Sequence, residues 1–349
     1  MASLPETMRG WQYSTIKNGL ENSLTLRSDL PIPPLSTRAD VAELLIESLS
    51  VSLNPADYKI PELPPLLRRA VIRTPATPGQ DFCGRVVRTT PAAAPDFSPG
   101  DIVFGRFDRL QHGTLATYFP ASVASCTKLP PPPPSAKHEI TPDELSCLGV
   151  AGLTAYQSIA PHVTRGDKIF INGGAGGCGT LGIQIAKALG CHVTVSCSSA
   201  KRELCARLGA DEVIDYTKGN LLEELKAKGK VFALCVDNVG FPAELYKAAD
   251  EFMIPGRKFL QIGGGFDRAM IGATVGRLFW PGVLGGGRTS FALFMLKGKE
   301  GSEELVRWVR EGEIEVVIEE VFEFEKLREA FEKLKSGKCY GKLVVRVGK

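Results

Sequence analysis

The residues whose spacing most directly implies chemistry are the glycines of Gly174-x-Gly176-x-x-Gly179. They follow the apolar run Ile169–Ile171 and open an amphipathic helical stretch, Thr180–Leu189. A glycine turn between strand and helix lets the backbone approach a pyrophosphate, and the helix N-terminus adds unpaired N–H groups and a positive dipole end. The backbones of Ala175, Gly177 and Cys178, with Gly176 between them, are therefore expected on the pyrophosphate. The next strand, Cys191–Cys197, runs into Ser198-Ser199-Ala200-Lys201-Arg202. An NAD site places an acidic side chain there for the ribose 2′-hydroxyl. Here a hydroxyl and a cation stand instead, and no acid is present to repel a 2′-phosphate. Asn238 and Ile262 end two later strands, and their backbones are expected to border the nicotinamide side.

These residues need a parallel sheet to hold them, and the pattern from Lys168 to about Gly265 supplies one. Strand-like runs at Ile169–Ile171, His192–Cys197, Val213–Ile214, Phe232–Val236 and Phe259–Ile262 alternate with helical segments. That is the βαβ signature of a Rossmann-type, doubly wound parallel sheet. The first 125 residues read differently, as short strands and turns of a barrel-like β domain. Leu129–Ser135, with five consecutive prolines, is a stiff connector near the domain boundary. Thr141-Pro142 starts a helix, with Thr141 as N-cap and proline at the first helical position.

Composition excludes several other functions. The 349 residues carry a net charge of +3 without a long basic run, which argues against nucleic acid as partner. No apolar run approaches the roughly 20 residues of a membrane helix. The N-terminus lacks a secretory or transit pattern, so the expected location is cytoplasmic. The nine cysteines are odd in number and lack C-x-x-C spacing, as expected of buried free thiols in a reducing compartment.

An ordered set of motifs extends this reading to nearly the whole chain. It comprises Val51–Lys59 (VSLNPADYK), Pro78–Gly84 (PGQDFCG), Gly100–Gly105 (GDIVFG), Ala151–Gln157 (AGLTAYQ), the glycine turn, Leu208–Tyr216 (LGADEVIDY), Val236–Gly240 (VDNVG) and Gly341–Val345 (GKLVV). In this the chain resembles the zinc-independent medium-chain dehydrogenases/reductases of the quinone oxidoreductase-like group, fungal enone and enoyl reductases among them. The resemblance implies a Rossmann domain, residues 129–289, inserted into a discontinuous β-rich, GroES-like catalytic domain, residues 1–128 and 290–349. It places Ser198, Lys201 and Tyr216 on the 2′-phosphate of NADPH and Thr154 on the nicotinamide amide. Zinc-using relatives carry a cysteine at the position of Asn54 and Gly-His-Glu where this chain has Gly79-Gln80-Asp81, so no metal is expected.

Without zinc, a carbonyl must be polarised by hydrogen-bond donors, which suits an activated acceptor such as a quinone or an α,β-unsaturated carbonyl. Lys59 is the candidate donor, Asn54 shapes the pocket, and Tyr58 is more suited to packing than to giving a proton. The segment Phe266–Phe294, with Gly285-Gly286-Gly287-Arg288, is expected to cover the pocket. The resemblance also implies a trans-acting enoyl reductase of a secondary-metabolite pathway, served by a carrier protein, as an alternative. A homodimer is compatible with it. From a different class, a nucleotide-sensing interaction protein with little turnover fits the same residues.

Overall fold

The computed structural model describes residues 4–107, 112–264 and 291–348. Most of the expected pocket cover, Phe266–Phe294, thus lies outside the described residues. The chain divides into two compact units. Unit 1 comprises residues 1–153, 297–312 and 318–349; unit 2 comprises residues 154–296 and 313–317.

Unit 1 begins with an antiparallel pair, β1 (Thr7–Gln12) and β2 (Thr25–Pro31). The long strand β3 (Glu43–Ser52) leads into the one-turn helix α1 (Pro55–Lys59) and then α2 (Pro65–Val71). There follow β4 (Asp81–Thr89), β5 (Ile102–Arg106), β6 (Tyr118–Ser122), β7 (Cys126–Lys128) and α3 (Pro142–Cys147). Thr141 caps α3 as its sequence predicts: its hydroxyl accepts the Glu144 N–H at 3.2 Å, and Glu144 accepts the Thr141 N–H at 2.8 Å.

Unit 2 opens on α4 (Leu153–Ile159) and continues through β8 (Lys168–Asn172), α5 (Gly177–Ala188), β9 (His192–Cys197), α6 (Arg202–Arg207), β10 (Glu212–Asp215) and α7 (Leu221–Ala227). It ends with β11 (Phe232–Asp237), α8 (Glu244–Lys247), α9 (Ala249–Phe252), β12 (Met253–Gln261) and β13 (Phe291–Leu293). Among the described residues its six strands are all parallel, in the order β10-β9-β8-β11-β12-β13. Renumbered from β8 this is 3-2-1-4-5-6, the dinucleotide-binding order, whose ligand crevice lies where β8 and β11 diverge. Phe170, Phe232, Phe252 and Phe259 fill the space beneath the sheet, the first three in mutual ring contact at 5.9–6.3 Å.

The chain then returns to unit 1 with α10 (Ser302–Glu311), β14 (Ile318–Glu323), α11 (Leu327–Lys335) and β15 (Lys342–Arg346). These complete a seven-stranded sheet, β14-β15-β3-β4-β5-β7, with β6 added against β3.

The boundary between units falls at Leu153, some way beyond the proline run. Polar contacts hold 130–153 to unit 1. Ser50 Oγ donates to Asp143 Oδ1 at 2.7 Å, Arg346 Nη2 donates to Asp143 Oδ2 at 2.6 Å, and Ser52 Oγ lies 3.0 Å from the Ser146 carbonyl. The proline run itself lies against α10, where Arg310 Nη1 donates to the Pro130 carbonyl at 2.7 Å.

Candidate active site

The nucleotide cradle belongs to unit 2. Strand β8 ends at Asn172, the chain turns through Gly173 at φ +81°, and α5 begins at Gly177 with Gly176 as its N-cap. Each glycine has a separate reason. A Cβ on Gly174 would stand 2.7 Å from Val195 Cβ, and one on Gly179 would stand 2.2 Å from the Gly173 carbonyl oxygen. Those two allow the turn to close. Gly176 is different: an added Cβ would meet nothing nearer than 3.8 Å, and its φ of −79° suits any residue. The space over Gly176, at the N-terminus of a twelve-residue helix with no capping side chain, is the cradle for an anion. Ala175 is buried and Cys178 half-buried in the first turn.

A hydrogen-bond relay, not foreseen from the sequence, ties this turn to the end of β11. Gly173 N–H donates to Ser196 Oγ at 2.9 Å, Ser196 Oγ–H to Asn172 Oδ1 at 2.6 Å, and Asn172 Nδ2 to Asp237 Oδ1 at 2.8 Å. The same Asp237 oxygen accepts the N–H groups of Val239 at 3.1 Å and Gly240 at 2.8 Å. Asp237 is 2% exposed, and these three donors satisfy its Oδ1. The relay fixes two turns of the crevice against each other. Asn238, held between them, has a buried Oδ1 with no hydrogen-bond partner. Ile262 N–H donates to the Asp237 carbonyl at 2.9 Å, which brings the end of β12 to the same place. Thr154 is buried at the start of α4. A cradle that a side chain would fill and an orphaned amide oxygen both fit a bound nucleotide.

At the end of β9, Ser198 is the N-cap of a short 3-10 turn, Ser199–Lys201, but its hydroxyl makes no capping hydrogen bond. Lys201 is half-buried and Tyr216 exposed. β9 itself ends without an acid, yet Asp215 of β10 is its strand neighbour, in register with Cys197. That carboxylate is turned to Ser199 Oγ and to Thr217, whose hydroxyl donates at 2.6 Å and N–H at 3.0 Å. The two hydroxyls hold its pKa at about 2, so it remains ionised.

The second set of residues belongs to unit 1. Asn54 caps α1, with Pro55 as first residue and Lys59 in the last turn. Asn54 is 4% exposed and both ends of its amide are taken: Nδ2 donates to Asp81 Oδ2 at 2.8 Å, and Oδ1 accepts from Lys342 Nζ at 2.6 Å. Asp81 Oδ2 also accepts from Ser52 Oγ at 2.7 Å and lies 3.4 Å from Lys342 Nζ, while Asp81 Oδ1 accepts the Val150 N–H. Asn54 thus stands at the N-cap position of α1 with its amide fixed between Asp81 and Lys342. Lys59 is half-buried, and that burial lowers its pKa below the ordinary lysine value. Tyr58 packs on the apolar cluster around Trp11, Leu20 and Phe331, with Lys335 Nζ 5.6 Å from its ring centre. Burial raises its pKa, and the Glu62 carboxylate raises it further.

Asp57, Asp81 and Lys342 escaped the sequence reading although each sits in a quoted motif. The available signal was a charged residue at the head of an apolar strand: Asp81 before Phe82-Cys83-Gly84, and Lys342 before Leu343-Val344-Val345. Among the described residues, no group of three or more His, Cys, Asp or Glu side chains is arranged to hold a metal ion.

Comparison with known proteins gives this geometry its family. Residues 40–131 match the alcohol dehydrogenase GroES-like domain, and residues 208–345 match the zinc-binding dehydrogenase domain. A trans-enoyl reductase of Aspergillus terreus, pgmF, is 41% identical over 359 aligned positions, covering 99% of this chain and 98% of that protein. The mouse mitochondrial NAD(P)H oxidoreductase RTN4IP1 is 33% identical, covering 78% of this chain and 71% of its own length. The solved quinone oxidoreductase of Coxiella burnetii superposes with a TM-score of 0.80 at 24% identity, covering 98% of this chain and all of that one. With a glycine cradle in 3-2-1-4-5-6 strand order and a full-length relative at this identity, the chain belongs to the medium-chain dehydrogenase/reductase family, as a pyridine-nucleotide-dependent oxidoreductase of its quinone oxidoreductase-like, enoyl reductase branch.

Proposed function

We propose that this protein uses NADPH to reduce the carbon–carbon double bond of an α,β-unsaturated carbonyl compound, with quinones as a second class of acceptor and without zinc. The observation that carries the reading is the open space over Gly176, joined by the Asn172–Asp237 relay to the orphaned Asn238 Oδ1. When bound, the cofactor supplies the hydride. The chain's own residues bind and orient. The first turn of α5 holds the pyrophosphate. Asn238 Oδ1 offers the acceptor that a carboxamide N–H needs, and Thr154 holds the same group from α4. Lys59 donates to the carbonyl oxygen of the acceptor as negative charge develops there. The A. terreus relative, named a trans-enoyl reductase, favours an enoyl group presented by a separate carrier protein over a free quinone.

The test is NADPH consumption against a panel of enones, enoyl thioesters and quinones. No consumption with any of them, alongside tight NADPH binding, would instead support a nucleotide-sensing interaction protein.

Two substitutions examine the assigned roles. Ser198, Lys201 and Tyr216 are assigned to the 2′-phosphate. A hydrogen bond to a charged group contributes about 1.5–3 kcal/mol, and about 1.4 kcal/mol is tenfold in affinity. Lys201→Ala is therefore expected to weaken NADPH by roughly one to two decades and to leave NADH nearly unchanged, as measured by fluorescence titration. Equal losses would remove Lys201 from the phosphate site. Lys59→Met is expected to lower turnover of an enone by roughly 10²–10³ at saturating NADPH. A quinone, which needs less polarisation, should lose less. A fall in NADPH affinity with turnover preserved would make Lys59 a cofactor ligand.

A further inference from the structure

One buried carboxyl of unit 1 is left incompletely partnered. Asp57, in the first turn of α1, is 3% exposed. Its Oδ2 accepts the Asn54 N–H at 2.7 Å, and its Oδ1 has no hydrogen-bond partner. Beside it lies a cavity of about 20 Å³ lined by Tyr13, Ile60, Ile72, Thr77 and Gln80. That is room for about one water molecule. The titratable groups around Asp57 are Asp81 of β4, Lys342 of β15 and the Tyr13 phenol; Cys147 of α3 faces Asp81 and Lys342 in turn.

Charge counting decides which carboxyl holds a proton. The pocket contains two carboxylates and one ammonium. Asp81 collects donors from Ser52, Asn54 and Val150 and lies within reach of Lys342, whereas Asp57 has one oxygen bare. A buried, unsolvated negative charge is costly, and a carboxylate neighbour makes it costlier.

We propose that Asp57 is a positioning residue that holds the Asn54–Lys59 turn in its active arrangement only while its carboxyl is protonated, with Oδ1 as the hydroxyl donating to a water in the adjoining cavity. Consistent with this geometry, burial first, and the Asp81 charge in addition, push the Asp57 pKa up to about 7 against the opposing Asn54 N–H, the Lys342 charge and the backbone N–H of Gln80. Ionisation leaves two buried negative charges competing for Lys342. The ammonium that anchors Asn54 Oδ1, and with it the cap of the helix bearing Lys59, is then drawn two ways.

The role of Lys59 in this inference rests on the proposed function, so the test has one readout that needs no turnover. In wild-type protein, infrared difference spectra against Asp57→Asn should show a protonated-carboxyl band at about pH 6 that disappears by about pH 8.5. Its absence at the lower pH overturns the proposal even if no acceptor is ever reduced. In turnover, the wild-type rate should fall about tenfold between about pH 6 and pH 8.5. Asp57→Asn, which mimics the protonated side chain, should vary less than about twofold over that range. A common pH profile for the two proteins overturns the positioning role.

The sign can also be read from stability. An aspartate raised in the folded state binds more protons than in the unfolded chain, so folding stability is lost as pH rises from about 4 to about 7 and levels off above. Asp57→Asn should lack this loss and gain on wild type in denaturant midpoint between those values. Parallel midpoints would also overturn it.

Discussion

Gly176→Val is expected to abolish NADPH binding in a protein that still folds. The glycine's φ and ψ of −79° and 177° are those of extended backbone, which valine adopts readily. The nearest atom to a new Cβ would be 3.8 Å away, so nothing in the protein is displaced. What the side chain fills is the space over the α5 N-terminus where the pyrophosphate approaches. Loss of two hydrogen bonds to a charged group, at about 1.5–3 kcal/mol each, corresponds to a loss of roughly two to four decades in affinity. Calorimetric titration with NADPH should therefore show no binding at micromolar concentrations, while circular dichroism and the thermal transition stay close to wild type. Gly179→Val makes the contrast. Its Cβ would stand 2.2 Å from the Gly173 carbonyl, and that variant should fail to fold. Retained NADPH binding by Gly176→Val would move the pyrophosphate away from this turn.

The two variants also mark how far the sequence could be read. The alternation of apolar runs located five of the six described strands of the parallel sheet, with His192–Cys197 coinciding at both ends. β12 starts at Met253, well before the run read at Phe259–Ile262, and β13 was not foreseen. Periodicity and glycine spacing are local signals, and the nucleotide cradle is built almost wholly from one β–turn–α segment. Whether a glycine serves the turn or the ligand is not local. Gly174 is required by Val195, a residue of the neighbouring strand. In unit 1 less was legible. The strands there were legible only as a series of short runs, and the pair β1 and β2 carries too weak an alternation to stand out. Asp215 was missed as a neighbour of β9 because it enters through sheet register. The Asn54–Asp81–Lys342 cluster joins residues as much as 288 positions apart, so no window along the chain contains it. Its members looked like ordinary strand-end polar residues until the sheet stacked β15, β3 and β4 side by side.

That cluster carries the second large effect. Lys342→Met should destabilise unit 1 by about 3–5 kcal/mol, the usual cost of removing one partner from a buried ion pair. Lys342 and Asp81 have side-chain exposures of 4% and 0%, so water cannot replace the lost ammonium. Asp81 would keep its donors from Ser52, Asn54 and Val150, but its charge would be unbalanced and Asn54 Oδ1 would lose its partner. The measurement is chemical denaturation followed by tryptophan fluorescence, because Trp11 and Trp308 are both buried in unit 1. The paired substitution Lys342→Met with Asp81→Asn removes both charges and should recover most of the loss, since a neutral, hydrogen-bonded replacement of a buried pair is often nearly as stable. If the double variant is as unstable as Lys342→Met, packing of the lysine stem is the cause and the ion pair is not. If Lys342→Met costs less than about 1 kcal/mol, as an exposed pair would, the charge on Asp81 is balanced elsewhere. The cap on the Lys59 helix would then be held by Asp57 and the backbone alone.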